Sequence, residues 1–186
     1  MRHQPFYDRM TVDQFLAIDF GSDRKFELID GLVYMMTGGT PAHSRIASNI
    51  LIWLGAKLRG TGCRAYNANL GIRVDDLNCR YPDVSVFCGN PATPEREESL
   101  TFDDPVVIFV LSPSTQGEDL GIKLLEYRSL TSIDTIVYVD PIKERARVLQ
   151  RLGPTAWRDD MFAQPNDVDL PALGLVLPHA EIFARD

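Results

Sequence analysis

The sequence predicts an α/β domain in which helices flank a central mixed β-sheet, and three local patterns carry this prediction. Segment 105–111 is continuously apolar, which is typical of a strand covered on both faces. Apolar residues recur at offsets of three and four between 42 and 59, which indicates an amphipathic helix. Asp30 and Gly31 lie between two apolar runs and predict the turn of a β-hairpin.

Along the chain, the predicted elements follow the order helix, hairpin, helix, strands, helix, strand and hairpin. Thr11 and Gln14 have the spacing of a capping box and predict a short first helix. The tail, residues 170–183, contains two prolines and a glycine and is expected to wrap the surface. Between them we expect strands at 64–74 and 80–87, an exposed loop at 90–99, a helix at 118–129, a buried strand at 134–139, and a hairpin that starts with a strand at 145–151.

Length and composition indicate one soluble domain spanning residues 1–186. The chain is 45% hydrophobic, which is enough for a sizeable core, and it has neither a long apolar run nor a secretion signal at its start. The chain has three cysteines, Cys63, Cys79 and Cys88, and no two of them have the CxxC spacing. This pattern predicts reduced thiols in a cytoplasmic protein and argues against a zinc site. The net charge of −7 argues mildly against a broad nucleic-acid surface but allows a local basic groove.

A lone carboxylate, Asp83, stands at the start of an apolar strand. Pro82, which precedes it, cannot donate a hydrogen bond to a neighbouring strand and therefore suits a strand end. Two interpretations are open: Asp83 solvates the strand end, as turn acids often do, or it serves a functional site.

A second polar segment, Ser112-Pro-Ser-Thr115, precedes the predicted helix at 118–129. Asp119 and Lys123 are four residues apart and share one helical face, where they would form an exposed ion pair. Alternatively, Ser114 or Thr115 caps the helix and leaves backbone amides free to bind a phosphate.

These segments occur together with others in an order that is specific, although each motif alone is not. The motifs are Phe26-Glu-Leu-Ile-Asp-Gly31, Pro41-Ala-His43, Tyr81-Pro-Asp83, Val110-Leu-Ser-Pro-Ser-Thr115, Asp119-Leu-Gly-Ile-Lys123 with Tyr127, and Ile136-Val-Tyr-Val-Asp-Pro141. In this order the chain resembles the Uma family of restriction-endonuclease-like proteins, within the PD-(D/E)xK nuclease superfamily. The resemblance covers residues 11–183 and implies a restriction-endonuclease-like fold, a central mixed sheet flanked by helices.

The resemblance also implies roles for individual residues. Asp83 matches the first motif acid, a ligand for a divalent cation, and Glu27 matches an N-terminal acid that approaches the same site. Lys123 matches a lysine that positions the phosphate or the attacking water. His43 matches a histidine at the start of the long helix, where capping or packing is an alternative to catalysis. The implied reaction is hydrolysis of phosphodiester bonds in DNA assisted by Mg²⁺, or by Mn²⁺, and the analogy with nucleases that cut two strands implies a homodimer.

One position departs from the family pattern. Where the family carries the second motif acid, this chain has Phe109, whose ring cannot bind a cation. Three explanations compete: a degenerate protein that keeps only the fold, a rearranged site in which Glu118, Asp119 or Glu27 replaces the missing ligand, and a shift in alignment. The Leu-Ser-Pro-Ser-Thr motif fixes the register and disfavours the third.

The resemblance therefore implies a Mg²⁺-dependent DNA endonuclease. Although the protein is acidic, Arg73, Arg80 and Lys123 together with the bound cation could offset the negative field near DNA. The alternative is a catalytically inactive nuclease-fold protein that acts as a binding or dimerisation module. An open cleft shared by Asp83, Glu27 and Lys123 would favour the enzyme. A Phe109 ring packed against Asp83 would favour the binding protein.

Overall fold

A computed structural model describes residues 9–21, 24–89, 100–111 and 117–185, and the side chains of 117–120 are outside the description. Its helices are α1 (Val12–Leu16), α2 (Pro41–Lys57), α3 (Gly117–Ser129) and α4 (His179–Phe183), with a 3-10 turn at Pro171–Leu173. Its strands are β1 (Phe26–Ile29), β2 (Leu32–Met35), β3 (Cys63–Asn67), β4 (Gly71–Arg73), β5 (Cys79–Arg80), β6 (Val84–Cys88), β7 (Thr101–Phe102), β8 (Pro105–Leu111), β9 (Thr135–Asp140), β10 (Arg145–Arg151), β11 (Trp157–Met161), β12 (Val168–Leu170) and β13 (Leu175–Leu177).

The larger sheet has six strands in the order β11-β10-β9-β8-β6-β3. It is mixed, because β8 and β9 run parallel while the other neighbours run antiparallel. Successive side chains of its central strands point to opposite faces of the sheet, and a hydrophobic core lies on each face. Helix α2 covers one face with the fully buried side chains of Ile46, Ile50 and Leu54. Helix α3 covers the other face with the fully buried side chain of Tyr127. The predicted mixed sheet flanked by helices is confirmed.

A second sheet has five strands in the order β2-β1-β5-β4-β7. The predicted hairpin forms its first two strands, and Asp30 and Gly31 adopt positive φ angles of 49° and 74° at the turn. Helix α1 begins with the predicted capping box of Thr11 and Gln14. Its buried residues Val12 and Phe15 pack against one face of this sheet.

Two predicted strands are each divided in the structure, and each division moves the chain from one sheet to the other. The stretch 64–74 forms β3 and β4, separated by a turn in which Leu70 N–H donates to the Asn67 carbonyl. The stretch 80–87 forms β5 and β6, separated by Tyr81, Pro82 and Asp83. Pro82 lacks the N–H that a continuous strand would use. The predicted loop at 90–99 lies outside the described residues.

The tail contributes to the core, so the expectation that it wraps the surface is wrong. Strands β12 and β13 form a small antiparallel sheet. Val168, Leu170, Leu177 and Ile182 are fully buried in the same core as α2. Burial of alternate apolar residues therefore outweighs the turn signals of the prolines and the glycine.

Cys63 and Cys88 form a disulfide, so the expectation of three reduced thiols is wrong for this pair. The antiparallel pairing of β3 with β6 sets them directly opposite each other, with their Cα atoms 4.0 Å apart. Cys79 remains a free, buried thiol, and burial raises its pKa to about 11. No helix in the described ranges is long and apolar enough to span a membrane.

Candidate active site

Asp83 lies in the link between the two sheets and is held by two contacts. Its Oδ1 is 3.0 Å from Nε2 of His43, and its Oδ2 accepts a 2.7 Å hydrogen bond from the Leu111 N–H. His43 stands in the first turn of α2, where its N–H donates to the capping Thr40 hydroxyl. A Cβ at position 39 would come within 2.7 Å of the His43 ring, so Gly39 leaves the ring room to reach Asp83.

The Asp83 contact changes the acid–base behaviour of the histidine. The hydrogen bond to the carboxylate raises the pKa of His43, and it outweighs partial burial, which acts in the opposite direction. The protonated imidazole is therefore favoured beside Asp83.

Glu27 and Lys123 form a second group with Arg80. Glu27 on β1 has its Oε1 3.4 Å from Nζ of Lys123 on α3, and its Oε2 3.4 Å from Nη1 of Arg80 on β5. The side chains of Glu27 and Lys123 are 12% and 23% exposed, so both reach the surface. The structure thus brings together two of the three predicted catalytic residues.

Asp83 belongs to the same region through the chain itself. Arg80 and Asp83 are three positions apart in the chain, so their Cα atoms lie within about 11 Å of each other. Within the described residues, however, no hydrogen bond or ion pair joins the Asp83–His43 pair directly to the Glu27–Lys123 pair.

Phe109 is the strand neighbour of Asp83, as the motif alignment requires. The Asp83 N–H donates to the Phe109 carbonyl at 3.1 Å, and Phe109 pairs with Val84 across β6 and β8. Its ring is fully buried in the apolar core between the six-stranded sheet and α2. The ring therefore serves as core at the position where the resemblance implies a carboxylate.

The donor set that remains consists of two carboxylates, which suits Mg²⁺ because this ion takes one or two carboxylates and completes its shell with water. Among the described side chains, no group of three His, Cys, Asp or Glu is placed to hold a metal ion. The side chains of Glu118 and Asp119, proposed as replacement ligands, lie outside the description, as do Ser114 and Thr115 of the proposed phosphate-binding turn.

The other basic residues that were expected to offset the local charge are paired with acids. Arg73 contacts Asp13 and lies 3.9 Å from Asp76. The Arg80 side chain is 1% exposed and donates two hydrogen bonds to Glu126. Lys123 is also paired with an acid, Glu27, and its side chain is 23% exposed, against 28% for that of Arg73.

Sequence reasoning missed Glu126, which is a direct partner of the site. It lies one helical turn beyond Lys123, and this i,i+3 spacing on the predicted helix was the available signal. Its partner Arg80 could not be identified from the sequence because the two residues are 46 positions apart.

Comparisons with known proteins agree with this fold. Residues 12–180 match the model of the Uma2 family, described as "Putative restriction endonuclease". Two uncharacterised proteins of Synechocystis are similar. The protein slr1290 is 26% identical over 170 residues, which are 91% of this chain and 88% of slr1290. The protein sll1609 is 21% identical over 149 residues, which are 80% of this chain and 84% of sll1609.

A solved structure is similar as well. The crystal structure of "a putative nuclease belonging to DUF820" from Anabaena variabilis superposes with a TM-score of 0.75 at 20% identity. The match covers 94% of this chain and 98% of that one, so the two proteins share the fold throughout.

Proposed function

Since the chain belongs to the Uma2 family of restriction-endonuclease-like proteins, we propose that it is a DNA endonuclease that depends on Mg²⁺, or on Mn²⁺ in its place. The observation that carries this proposal is the pair of Glu27 and Lys123, 3.4 Å apart and partly exposed, with Glu27 also 3.4 Å from Arg80, which stands three positions before Asp83 in the chain. A carboxylate paired with a lysine at the edge of a surface-accessible site suits the binding and hydrolysis of a phosphodiester.

Each residue has a distinct role in this proposal. Asp83 is the primary metal ligand, oriented by the Leu111 amide and by His43, and Glu27 is the second ligand. Lys123 holds the scissile phosphate or the attacking water through its ammonium group. A bound Mg²⁺ would supply charge neutralisation and a more acidic water. With the acid at 109 replaced by Phe, we expect a slower enzyme than a three-carboxylate site would give.

The second candidate is a nuclease-fold protein without catalytic activity that binds a partner or dimerises. The observation that favours it is Phe109, whose ring is fully buried in the core at the position of the second motif acid. Loss of one metal carboxylate weakens such a site, because one or two carboxylates supply its negative charge.

Plasmid nicking distinguishes the two candidates. Supercoiled plasmid is incubated with the native protein, with Asp83→Ala and with Asp169→Ala, in Mg²⁺ and in Mn²⁺. Asp169 is an exposed acid on β12 and serves as the matched control. We expect the native protein and Asp169→Ala to nick the plasmid, and Asp83→Ala to be slower by about 100-fold or more. No nicking by the native protein in either metal would favour the inactive candidate.

We also propose that the protein acts as a homodimer, in which two sites could cut the two strands of DNA. Strand β2 supports the dimer, since it lies at a sheet edge and its residues Leu32, Val33, Tyr34 and Met35 are 37–53% exposed. Exposed apolar edge strands tend to pair with another strand. Analytical ultracentrifugation should show a dimer that Val33→Lys weakens, whereas a native monomer at high concentration would contradict this part of the proposal.

A further inference from the structure

The most deeply buried charge in the described structure sits behind the candidate site. The Arg80 side chain is 1% exposed, although arginine is rarely buried without partners. Its Nε and Nη2 donate to Oε2 and Oε1 of Glu126 at 2.7 and 2.8 Å, a two-pronged pairing that fixes the guanidinium plane. Strand β5 is thereby tied to helix α3.

The remaining nitrogen of Arg80 points toward Glu27. Nη1 lies 3.4 Å from Glu27 Oε2, and it has no hydrogen-bond partner within the described residues. Glu27 in turn is 3.4 Å from Lys123, which lies one helical turn before Glu126 on α3. The contacts therefore close a ring that runs from Arg80 to Glu126, along α3 to Lys123, and back through Glu27.

This ring contains Glu27 and Lys123, the carboxylate and the ammonium group of the proposed reaction. Arg80 itself is too buried to touch DNA, so it can influence the reaction only through its two partners. Through Glu126 it contacts the helix that carries Lys123, and through Nη1 it lies 3.4 Å from the Glu27 carboxylate. Small displacements of positioned groups cost large factors in rate.

We propose that Arg80 is a positioning residue that holds Glu27 and Lys123 in register, with Glu126 as its anchor on α3. The expected effect of Arg80 on the cleavage rate rests on the nuclease activity proposed above. Its structural part, the placement of Lys123, does not depend on nuclease activity.

Arg80→Lys tests the inference because it keeps the charge and removes the planar fork. An ammonium group cannot donate side by side to both Glu126 oxygens and still face Glu27. The matched control is Arg147→Lys, which breaks the same kind of two-pronged pair, Arg147 with Asp159, between β10 and β11. Circular dichroism confirms that each variant is folded.

Two readouts are measured on each variant. The first is the acetylation rate of Lys123 by acetic anhydride, followed by mass spectrometry, with exposed Lys57 as the internal reference. The second is plasmid nicking, separated into kcat and KM. For Arg80→Lys we expect Lys123 to react several-fold faster relative to Lys57. We expect kcat to fall about 10- to 100-fold with KM nearly unchanged. Arg147→Lys should change neither readout.

The outcomes separate the two proposals. Native-like Lys123 labelling in folded Arg80→Lys overturns the positioning role, as does an unchanged kcat in an active protein. If the native protein does not nick DNA, faster Lys123 labelling upholds the placement by Arg80 while the nuclease proposal fails. If Arg80→Lys does not fold, Glu126→Gln, which keeps the volume and one acceptor oxygen, replaces it with the same expected directions.

Discussion

At the scale of single residues, Phe109 and Asp83 are direct neighbours with different surroundings. The two residues are joined by a backbone hydrogen bond of 3.1 Å, yet the Phe109 ring contributes to the core while Asp83 remains partly exposed. A motif comparison can locate the departure at Phe109, because the flanking Leu-Ser-Pro residues fix the register. It cannot show that the ring is fully buried, since that depends on packing against α2.

Phe109→Glu restores the acid of the family pattern at the cost of core packing. We expect it to lower the free energy of unfolding by roughly 3–5 kcal/mol, as for loss of a buried aromatic ring, with a further cost from the buried charge. Mg²⁺ should recover part of this loss if the new carboxylate joins Asp83 in a metal site, because a ligand that binds the folded state stabilises it. Urea unfolding with and without Mg²⁺ measures both effects.

Phe109→Gln is the control for that experiment, because it has nearly the same shape as the glutamate variant without its charge. It should lose the stability that the ring provides, without the further cost of a buried charge, and it should gain none from Mg²⁺. If Mg²⁺ changed the free energy of unfolding of the two variants equally, the surroundings of Asp83 would not form a metal site.

At the scale of elements, the long helices and buried strands were predictable, whereas the short strands were not. Apolar periodicity identified α2 and a continuous apolar run identified β8, because tertiary packing follows both patterns. The pairs β3 with β4 and β5 with β6 were each predicted as one strand, because a change of sheet leaves almost no local signal beyond Pro82.

The buried residues of α2, Ile46, Ile50 and Leu54, should account for most of the stability that the packing of this helix on the sheet provides. Ile50 is fully buried and Ile52 is 71% exposed, so the two form a matched pair on one helix. We expect Ile50→Ala to cost about 2–5 kcal/mol of unfolding free energy, and Ile52→Ala to stay within about 0.5 kcal/mol of the native protein. Chemical denaturation measures both values, and equal effects would contradict the assigned orientation of α2.

At the scale of the whole molecule, the candidate site lies where the two sheets meet. Glu27 comes from the five-stranded sheet, Asp83 from the link between the sheets, and Lys123 from the helix on the six-stranded sheet. Family motifs could predict these three residues individually. They could not predict the Arg80–Glu126 pair or the Cys63–Cys88 bond, because those contacts depend on strand register and on distant parts of the chain.

Whether Asp83 still holds a divalent cation decides between the nuclease and its inactive counterpart. The His43 ring reports on this directly, because its Nε2 is 3.0 Å from Asp83 Oδ1. A paramagnetic ion bound to Asp83 would lie within several ångströms of the imidazole. It would also compete with the imidazolium for the carboxylate and so lower the raised pKa of His43.

The measurement is the NMR spectrum of the His43 ring during titration with Mn²⁺, run beside Asp83→Asn. We predict that substoichiometric Mn²⁺ broadens the His43 signals in the native protein and that Asp83→Asn abolishes the effect. Signals that stay sharp with excess Mn²⁺, or that broaden equally in Asp83→Asn, would contradict a metal site at Asp83.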